Sequence, residues 1–233
     1  MRRIAVFARW PDPGKVKTRL SPALSAPVAC DLYRAMLEDA LAAAAASGAA
    51  ERFVYWADAP GDAGAPRIAA VGMDDRFEPR RQLGQDLGAR LERAFAGLLR
   101  EPEDRAVIMG ADCPALDGAI LRGAFDALER HDLALGPARN GGCYLIGLAR
   151  TVPDLFRGIP WSAARVLDET VERARAIGLT TFHLPALEDL DTPEDLVRWI
   201  RRVVLGPEPP ALRTADSLRE MGLLPRRTGG VPG

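Results

Sequence analysis

Four fixed cations, Arg9, Lys15, Lys17 and Arg19, lie in the run Ala8-Arg-Trp-Pro-Asp-Pro-Gly-Lys-Val-Lys-Thr-Arg-Leu20, directly after a short apolar segment. Side chains of this kind hold phosphate, because ammonium and guanidinium groups make charge-assisted hydrogen bonds to its oxygens; Thr18 adds a hydroxyl donor. In an extended segment alternate residues share a side, which would converge Lys15, Lys17 and Arg19 on one face. Pro11 and Pro13 limit the entropy lost on ordering the loop, and Gly14 lets the backbone approach a ligand closely. A solvated basic loop is the plain alternative. The run is not a Walker loop, since Val16 follows Gly14-Lys15 where Ser or Thr is needed, and it holds no Gly-x-Gly-x-x-Gly fingerprint.

A second group is acidic. Gly110-Ala-Asp-Cys-Pro114 follows the apolar Ala106-Val-Ile-Met109 and places Asp112 at the carboxyl edge of a strand. A carboxylate there suits a hard divalent cation such as Mg²⁺ or Mn²⁺, which is commonly held by one or two carboxylates plus phosphate oxygens. Glu188, Asp189 and Asp191 are the candidates for the second ligand. Asp191 also suits a helix N-cap, a duty that would commit its side chain to backbone N–H groups, whereas Asp189 has no such competing task. Asp112 alone reads equally well as a turn residue.

Other residues carry weaker signals. In Arg139-Asn-Gly-Gly-Cys-Tyr-Leu-Ile146, Gly141 and Gly142 suit close passage of a ligand or, equally, a hairpin turn. Gln82, at the entrance to a helix capped by Asp86, could face a base or sugar. His131 and His183 are isolated and support no triad. Cys113 and Cys143 lack a base partner, so a nucleophile reading fails for both. Trp161 reads as a wall or core residue.

The elements that must position these groups alternate. Arg3 to Phe7, Phe53 to Ala57, Ala106 to Met109, Leu133 to Leu135, Cys143 to Ile146 and Thr180 to Leu184 read as strands. Helices are expected from a Ser25 cap to Gly48, after Asp86, after Asp117, over Ser162 to Gly178, and after Asp191-Thr-Pro-Glu-Asp195. Asp58 to Pro66 reads as a loop. The βαβ rhythm, interrupted near Asn140, predicts an α/β fold with a mostly parallel, helix-covered sheet and one reversed strand. Open sheets of this kind bind ligands at the carboxyl ends of their strands. Residues 1–206 are expected to form one domain and 207–233, rich in Pro, Gly and Arg, a tail packed on the surface or mobile, with one short helix around Ser217 to Met221.

Bulk properties exclude several classes. The 233 residues carry 31 Lys and Arg against 32 Asp and Glu, so no net field recommends nucleic acid or an anionic membrane. Three widely spaced cysteines, Cys30, Cys113 and Cys143, make neither a disulfide framework nor a zinc site and point to a reducing cytoplasm. No window is long and apolar enough for a signal-peptide core or a membrane span. Oligomeric state is open, a homo-oligomer included.

Taken in order, Phe7 to Leu20, Gln82 to Arg90, Gly110 to Pro114, Gly136-Pro137, Gly141-Gly142 with Tyr144 to Gly147, Trp161-Ser162 and Asp189-Leu-Asp-Thr-Pro-Glu-Asp-Leu196 resemble the bacterial GT-A-fold glycosyltransferases of the arsenosugar-biosynthesis type. The resemblance spans about residues 4 to 200. That family belongs to the nucleotide-diphospho-sugar transferase superfamily and is similar in fold to molybdenum cofactor guanylyltransferase and phospholactate guanylyltransferase. It implies a Rossmann-like three-layer GT-A sandwich, with Lys15, Lys17 and Arg19 on phosphate, Asp112 on the metal and Asp191 as a second ligand. Two positions depart from the usual pattern: Asn140 stands where the family carries Asp, and Ala163 where it carries Thr. Asn140 cannot take a proton, which bears on the acceptor side.

Three functions follow as expectations. The first is a metal-dependent glycosyltransferase that uses a nucleotide-diphospho-sugar and a small-molecule acceptor, with Asp112, Lys17 and Asn140 at the reacting groups. Arg9, Gly14 and Thr18 join the phosphate-binding set. The alternative is a nucleotidyltransferase that takes a nucleoside triphosphate and a phosphorylated acceptor and releases pyrophosphate. The last is a non-catalytic nucleotide-binding protein, motivated by Asn140 and Ala163.

Overall fold

The computed structural model describes residues 1–57, 75–161, 165–206 and 211–225. The expected Asp58 to Pro66 loop, Ser162, Ala163 and parts of the tail lie outside them. Seven strands form one sheet in the order β3-β2-β1-β4-β6-β5-β7. They are β1 (Arg2–Ala8), β2 (Glu51–Trp56), β3 (Glu78–Arg81), β4 (Arg105–Gly110), β5 (Leu133–Pro137), β6 (Cys143–Leu148) and β7 (Thr181–His183). All neighbours pair in parallel except β6, which runs antiparallel to β4 and β5. The single reversed strand is therefore the one that returns from the turn at Asn140.

Pleating sorts β1 between two cores. Ile4 and Val6 face α1 (Ala26–Ala45) and α3 (Gly118–Ala127), where Tyr33, Leu37, Leu121 and Phe125 are buried. Ala5 faces α2 (Leu87–Leu98) and α4 (Val166–Ala176), where Leu91, Phe95 and Ala174 are buried. Cover on both faces favours apolar side chains on both, as β1 shows from Ile4 to Ala8. Helix caps follow the sequence at Asp86 and Asp117, whose carboxylates accept from Ala89 N–H and Ile120 N–H. Ser25 occupies the N-cap of α1 without a side-chain cap bond.

Four differences from the sequence reading are informative. The edge strand β3 was not anticipated, because Glu-Pro-Arg-Arg carries no apolar alternation; Pro79 is tolerated there since an edge strand needs fewer donors. Helix α4 begins, among the described residues, at Val166, with Arg165 at its N-cap where the sequence predicts helix. Helix α5 (Pro193–Leu205) is capped by Thr192 in a reciprocal box with Asp195, not by Asp191. The tail helix α6 (Leu212–Glu220) is longer than expected, and its N-terminus is held by Asp39, which accepts from the Arg213 and Thr214 N–H groups and the Thr214 hydroxyl. Ala215 and Leu218 join Leu20, Leu190 and Trp199 in a third buried cluster, outside α1. No helix among the described residues is long and apolar enough to cross a membrane.

Candidate active site

The carboxyl ends of β1 and β4 and the amino end of the reversed β6 open into a cavity of about 860 Å³. Arg9, Lys15, Lys17, Thr18, Arg19, Gln82, Asp112, Asn140, Gly142, Asp189 and Asp191 all line it, so residues more than 170 positions apart in the chain share one space. The parallel register brings this about. β1 and β4 lie side by side with Phe7 opposite Gly110, so the basic loop and the Asp112 loop leave the sheet as neighbours. A backbone bond from Leu190 N–H to the Asp112 carbonyl, 2.8 Å, then ties the third loop to the second.

The three cations expected on one face are separated. The segment from Asp12 to Leu24 is a series of tight turns rather than an extended strand, including a 3-10 turn at Thr18–Leu20. Gly14 has φ of +79°, which accounts for glycine there; nothing lies within 4 Å of where its Cβ would be, so close packing does not. Lys15 points outward and pairs with Asp12 at 3.1 Å. Arg19 pairs with Asp191 at 2.8 Å. Lys17 turns inward: its side chain is 2% exposed, with Nζ 2.5 Å from Asp112 Oδ1 and 3.4 Å from Asp191 Oδ1. Its backbone is left-handed, φ 48° and ψ 35°, the one non-glycine residue with positive φ among those described. That conformation costs about 1–2 kcal/mol, so the surroundings must impose it.

Electrostatics explain the arrangement. Burial opposes the charge on Lys17, but Asp112 and Asp191 outweigh it and hold the ammonium above the ordinary lysine value. Asp189 behaves in the opposite sense: burial, reinforced by the neighbouring Asp112 charge, pushes its carboxyl up to about 6. Asn140 answers this directly, its amide N–H donating to Asp189 Oδ2 at 2.7 Å while its own oxygen accepts from Gly142 N–H at 2.9 Å. An aspartate at 140 could not donate that bond. Gly141, with φ of +89°, makes the turn that brings Asn140 into place. Burial pushes the Cys113 thiol far up and Cys143 to about 12, so neither is a thiolate nucleophile.

Gln82 is committed elsewhere. Its amide N–H groups donate to the carbonyls of Tyr55, 2.8 Å, and Ala8, 3.4 Å, so it braces the ends of β1 and β2. Arg90, which the sequence reading passed over, lines the same wall and donates to the Gly84 carbonyl at 3.2 Å and to Gln82 Oε1 at 3.5 Å. The available signal was its place one helical turn beyond the Asp86 cap, pointing back over the sheet edge. Trp161 is half-buried, both wall and core.

The donor set fits a hard divalent cation. Asp112 and Asp191 each aim one carboxylate oxygen at the same point, where the Lys17 ammonium sits. Among the described residues no three His, Cys, Asp or Glu side chains gather closely enough to enclose a metal alone. Oxygens from a bound phosphate or water would therefore complete its shell, as is usual for Mg²⁺.

Comparison with known proteins agrees with this architecture. A bacterial family profile described as "Uncharacterized protein conserved in bacteria (DUF2064)" matches residues 40–163. The 3-phospho-D-glycerate guanylyltransferase of Phenylobacterium zucineum is 31% identical over 207 residues, covering 88% of this chain and 90% of the relative. The 2-phospho-L-lactate guanylyltransferase of Methanothermobacter thermautotrophicus is 30% identical over 192 residues, 77% and 76% of the two chains. A Desulfovibrio desulfuricans G20 crystal structure assigned to the nucleotide-diphospho-sugar transferases superposes with a TM-score of 0.83 at 34% identity over 95% of both chains.

Proposed function

Because the chain belongs to the bacterial family DUF2064 and is related over most of its length to guanylyltransferases, we propose that it is a metal-dependent nucleotidyltransferase. It transfers a guanylyl group from GTP to a small phosphorylated carboxylic acid. The acceptor phosphate oxygen attacks the α-phosphorus, the bond between that phosphorus and the α,β-bridging oxygen breaks, and pyrophosphate leaves. The observation that carries this reading is the meeting of the basic loop after β1 with Asp112, Asp189 and Asp191 in one cavity.

The roles follow from position. Arg9, Lys15 and Arg19, with the Thr18 hydroxyl, bind and orient the triphosphate, and the cations neutralise charge developing on the departing pyrophosphate. Asp112 and Asp191 would hold Mg²⁺ or Mn²⁺, with Asp189 beside them. When bound, such an ion supplies charge neutralisation at the phosphates. Asn140 fixes the Asp189 carboxylate, and the Gln82–Arg90 wall shapes the far side of the pocket. Phosphoryl chemistry of this kind asks mainly for positioning and electrostatics, and a general base is not needed on an acceptor that is already an anion.

A second reading, glycosyl transfer from a nucleotide-diphospho-sugar, is favoured by the 34% identity to the Desulfovibrio protein and by the arsenosugar-type sequence pattern. Purified protein with GTP, 3-phospho-D-glycerate and Mg²⁺ should form pyrophosphate, read by a coupled pyrophosphatase assay. Binding of a nucleotide sugar in preference to every triphosphate, with no pyrophosphate formed, would replace the first reading by the second.

A further inference from the structure

Lys17 occupies the point on which the metal-binding oxygens converge, and its environment accounts for that. Its Nζ lies within 3.4 Å of oxygens from both Asp112 and Asp191, its side chain is almost wholly buried, and its backbone is held in a left-handed conformation that aims it inward. Three carboxylates surround this one ammonium, and Arg19, on the outer oxygen of Asp191, is the second cation paired with them among the described residues. Without the ammonium, three negative groups would face one another across a partly dry space, at a high electrostatic cost.

We propose that Lys17 is a built-in counter-ion that excludes free divalent metal from the aspartate cluster until a nucleotide arrives. An ammonium and a dication cannot occupy the same point between Asp112 and Asp191. Metal alone must displace Lys17 from both of these carboxylates, and among the described lining residues that leaves it Asp189, one oxygen of which already accepts from Asn140. A triphosphate supplies a replacement anion, so Lys17 leaves the carboxylates for a phosphate oxygen and the carboxylates accept the metal. Metal and nucleotide therefore bind as a pair, and Lys17 sets the coupling between them. This rests on the clamp described under the proposed function and adds to it an order of binding.

The test is the affinity of Mn²⁺ alone, measured by electron paramagnetic resonance on the full chain, for wild type and Lys17→Met. Removing the competing charge should tighten Mn²⁺ binding by roughly tenfold or more while weakening binding of a non-hydrolysable GTP analogue. A residue that served only to bind phosphate would leave the affinity for metal alone unchanged. Equal or weaker Mn²⁺ binding by Lys17→Met therefore overturns the counter-ion role and leaves the clamp intact. Absence of Mn²⁺ binding to either protein, even with the nucleotide analogue, overturns both. Should Lys17→Met fail to fold by circular dichroism, the wild type decides through acetic anhydride labelling of Lys17 read by mass spectrometry. Acetylation removes the Lys17 charge, so the labelled protein should bind Mn²⁺ alone more tightly than the unlabelled one, and equal or weaker binding overturns the proposal.

Discussion

A buried cation stands at the start of strand β1 and another in the loop that follows it, and the two are treated differently. At the strand's start, the Arg3 guanidinium donates to Asp104, Glu51 and the Leu98 carbonyl. Asp104 in turn accepts from the backbone N–H groups of Arg100 and Glu101 and pairs with the chain's amino terminus. Burial works against the Asp104 charge, but these donors overwhelm it and hold the carboxyl well below its usual range. Beyond the other end, one Lys17 ammonium faces Asp112, Asp189 and Asp191, and Asp189 is pushed upward instead. A structural ion pair surrounds its charge with fixed donors. The other cluster has carboxylate oxygens left over, and that surplus is what a metal and a phosphate can use.

The largest expected separation between the two clusters comes from truncating one acid in each. Asp112→Ala should lower the rate of pyrophosphate formation by about a thousandfold, in line with the loss of a central charge-stabilising group, and abolish any metal-dependent thermal shift. Chemical denaturation should place its stability within about 1 kcal/mol of wild type, because Asp112 is more than half exposed and Asp191 still pairs with the Lys17 ammonium. A large stability loss with activity retained would make the carboxyl-end cluster structural too. Asp104→Asn should do the reverse, costing roughly 3–5 kcal/mol in denaturant unfolding because it removes the buried charge that pairs with both the Arg3 guanidinium and the amino terminus, with kcat/KM unchanged at temperatures where the protein is folded.

Titration sharpens the contrast at the first cluster. The Asp104 carboxyl is more acidic folded than unfolded, so its contribution to stability is fully present above the ordinary carboxyl value of about 3.9 and is lost as pH falls toward the folded value. The gap in unfolding free energy between wild type and Asp104→Asn should be level near neutral pH and shrink below about pH 4. A gap that widens on acidification would contradict the structure's account of this pair. The smallest effect belongs to the outermost cation. Lys15→Ala should weaken binding of different nucleoside triphosphates alike, by about tenfold, with unfolding free energy within about 0.5 kcal/mol of wild type. A loss confined to one base would show that Lys15 does not address phosphate.

Much of the scaffold was legible in the chain because it depends on local chemistry. Apolar runs marked β1, β2 and β4, since the middle of a strand covered on both faces favours apolar side chains, Arg3 being held at the start of β1 only by its own acidic partners. Asp86 and Asp117 announced their helices through capping. β3 was missed because its pairing is made by backbone groups, and Glu78 to Arg81 has no side-chain pattern to report it. Helix α6 was underestimated because its stability comes from Asp39 and the third apolar cluster rather than from its own sequence.

At the site, the sequence by itself determined the inventory: a basic loop after one strand, an aspartate after another, and an acidic loop ahead of the last long helix. Each is a strand-end or helix-entry feature, and such features are written in consecutive residues. Tertiary structure decided what each member does. Lys17 and Lys15 are alike in sequence, yet one is buried between two acids and the other faces solvent, because a left-handed turn at Lys17 breaks the alternation expected of an extended loop. Asp191 faces the basic loop because Thr192, one residue further on, takes the cap. Asn140 became the partner of Asp189 only when the turn after β5 met the loop after β7. The sign and satisfaction of a charge depend on neighbours brought together by parallel strands, and those neighbours are far apart along the chain.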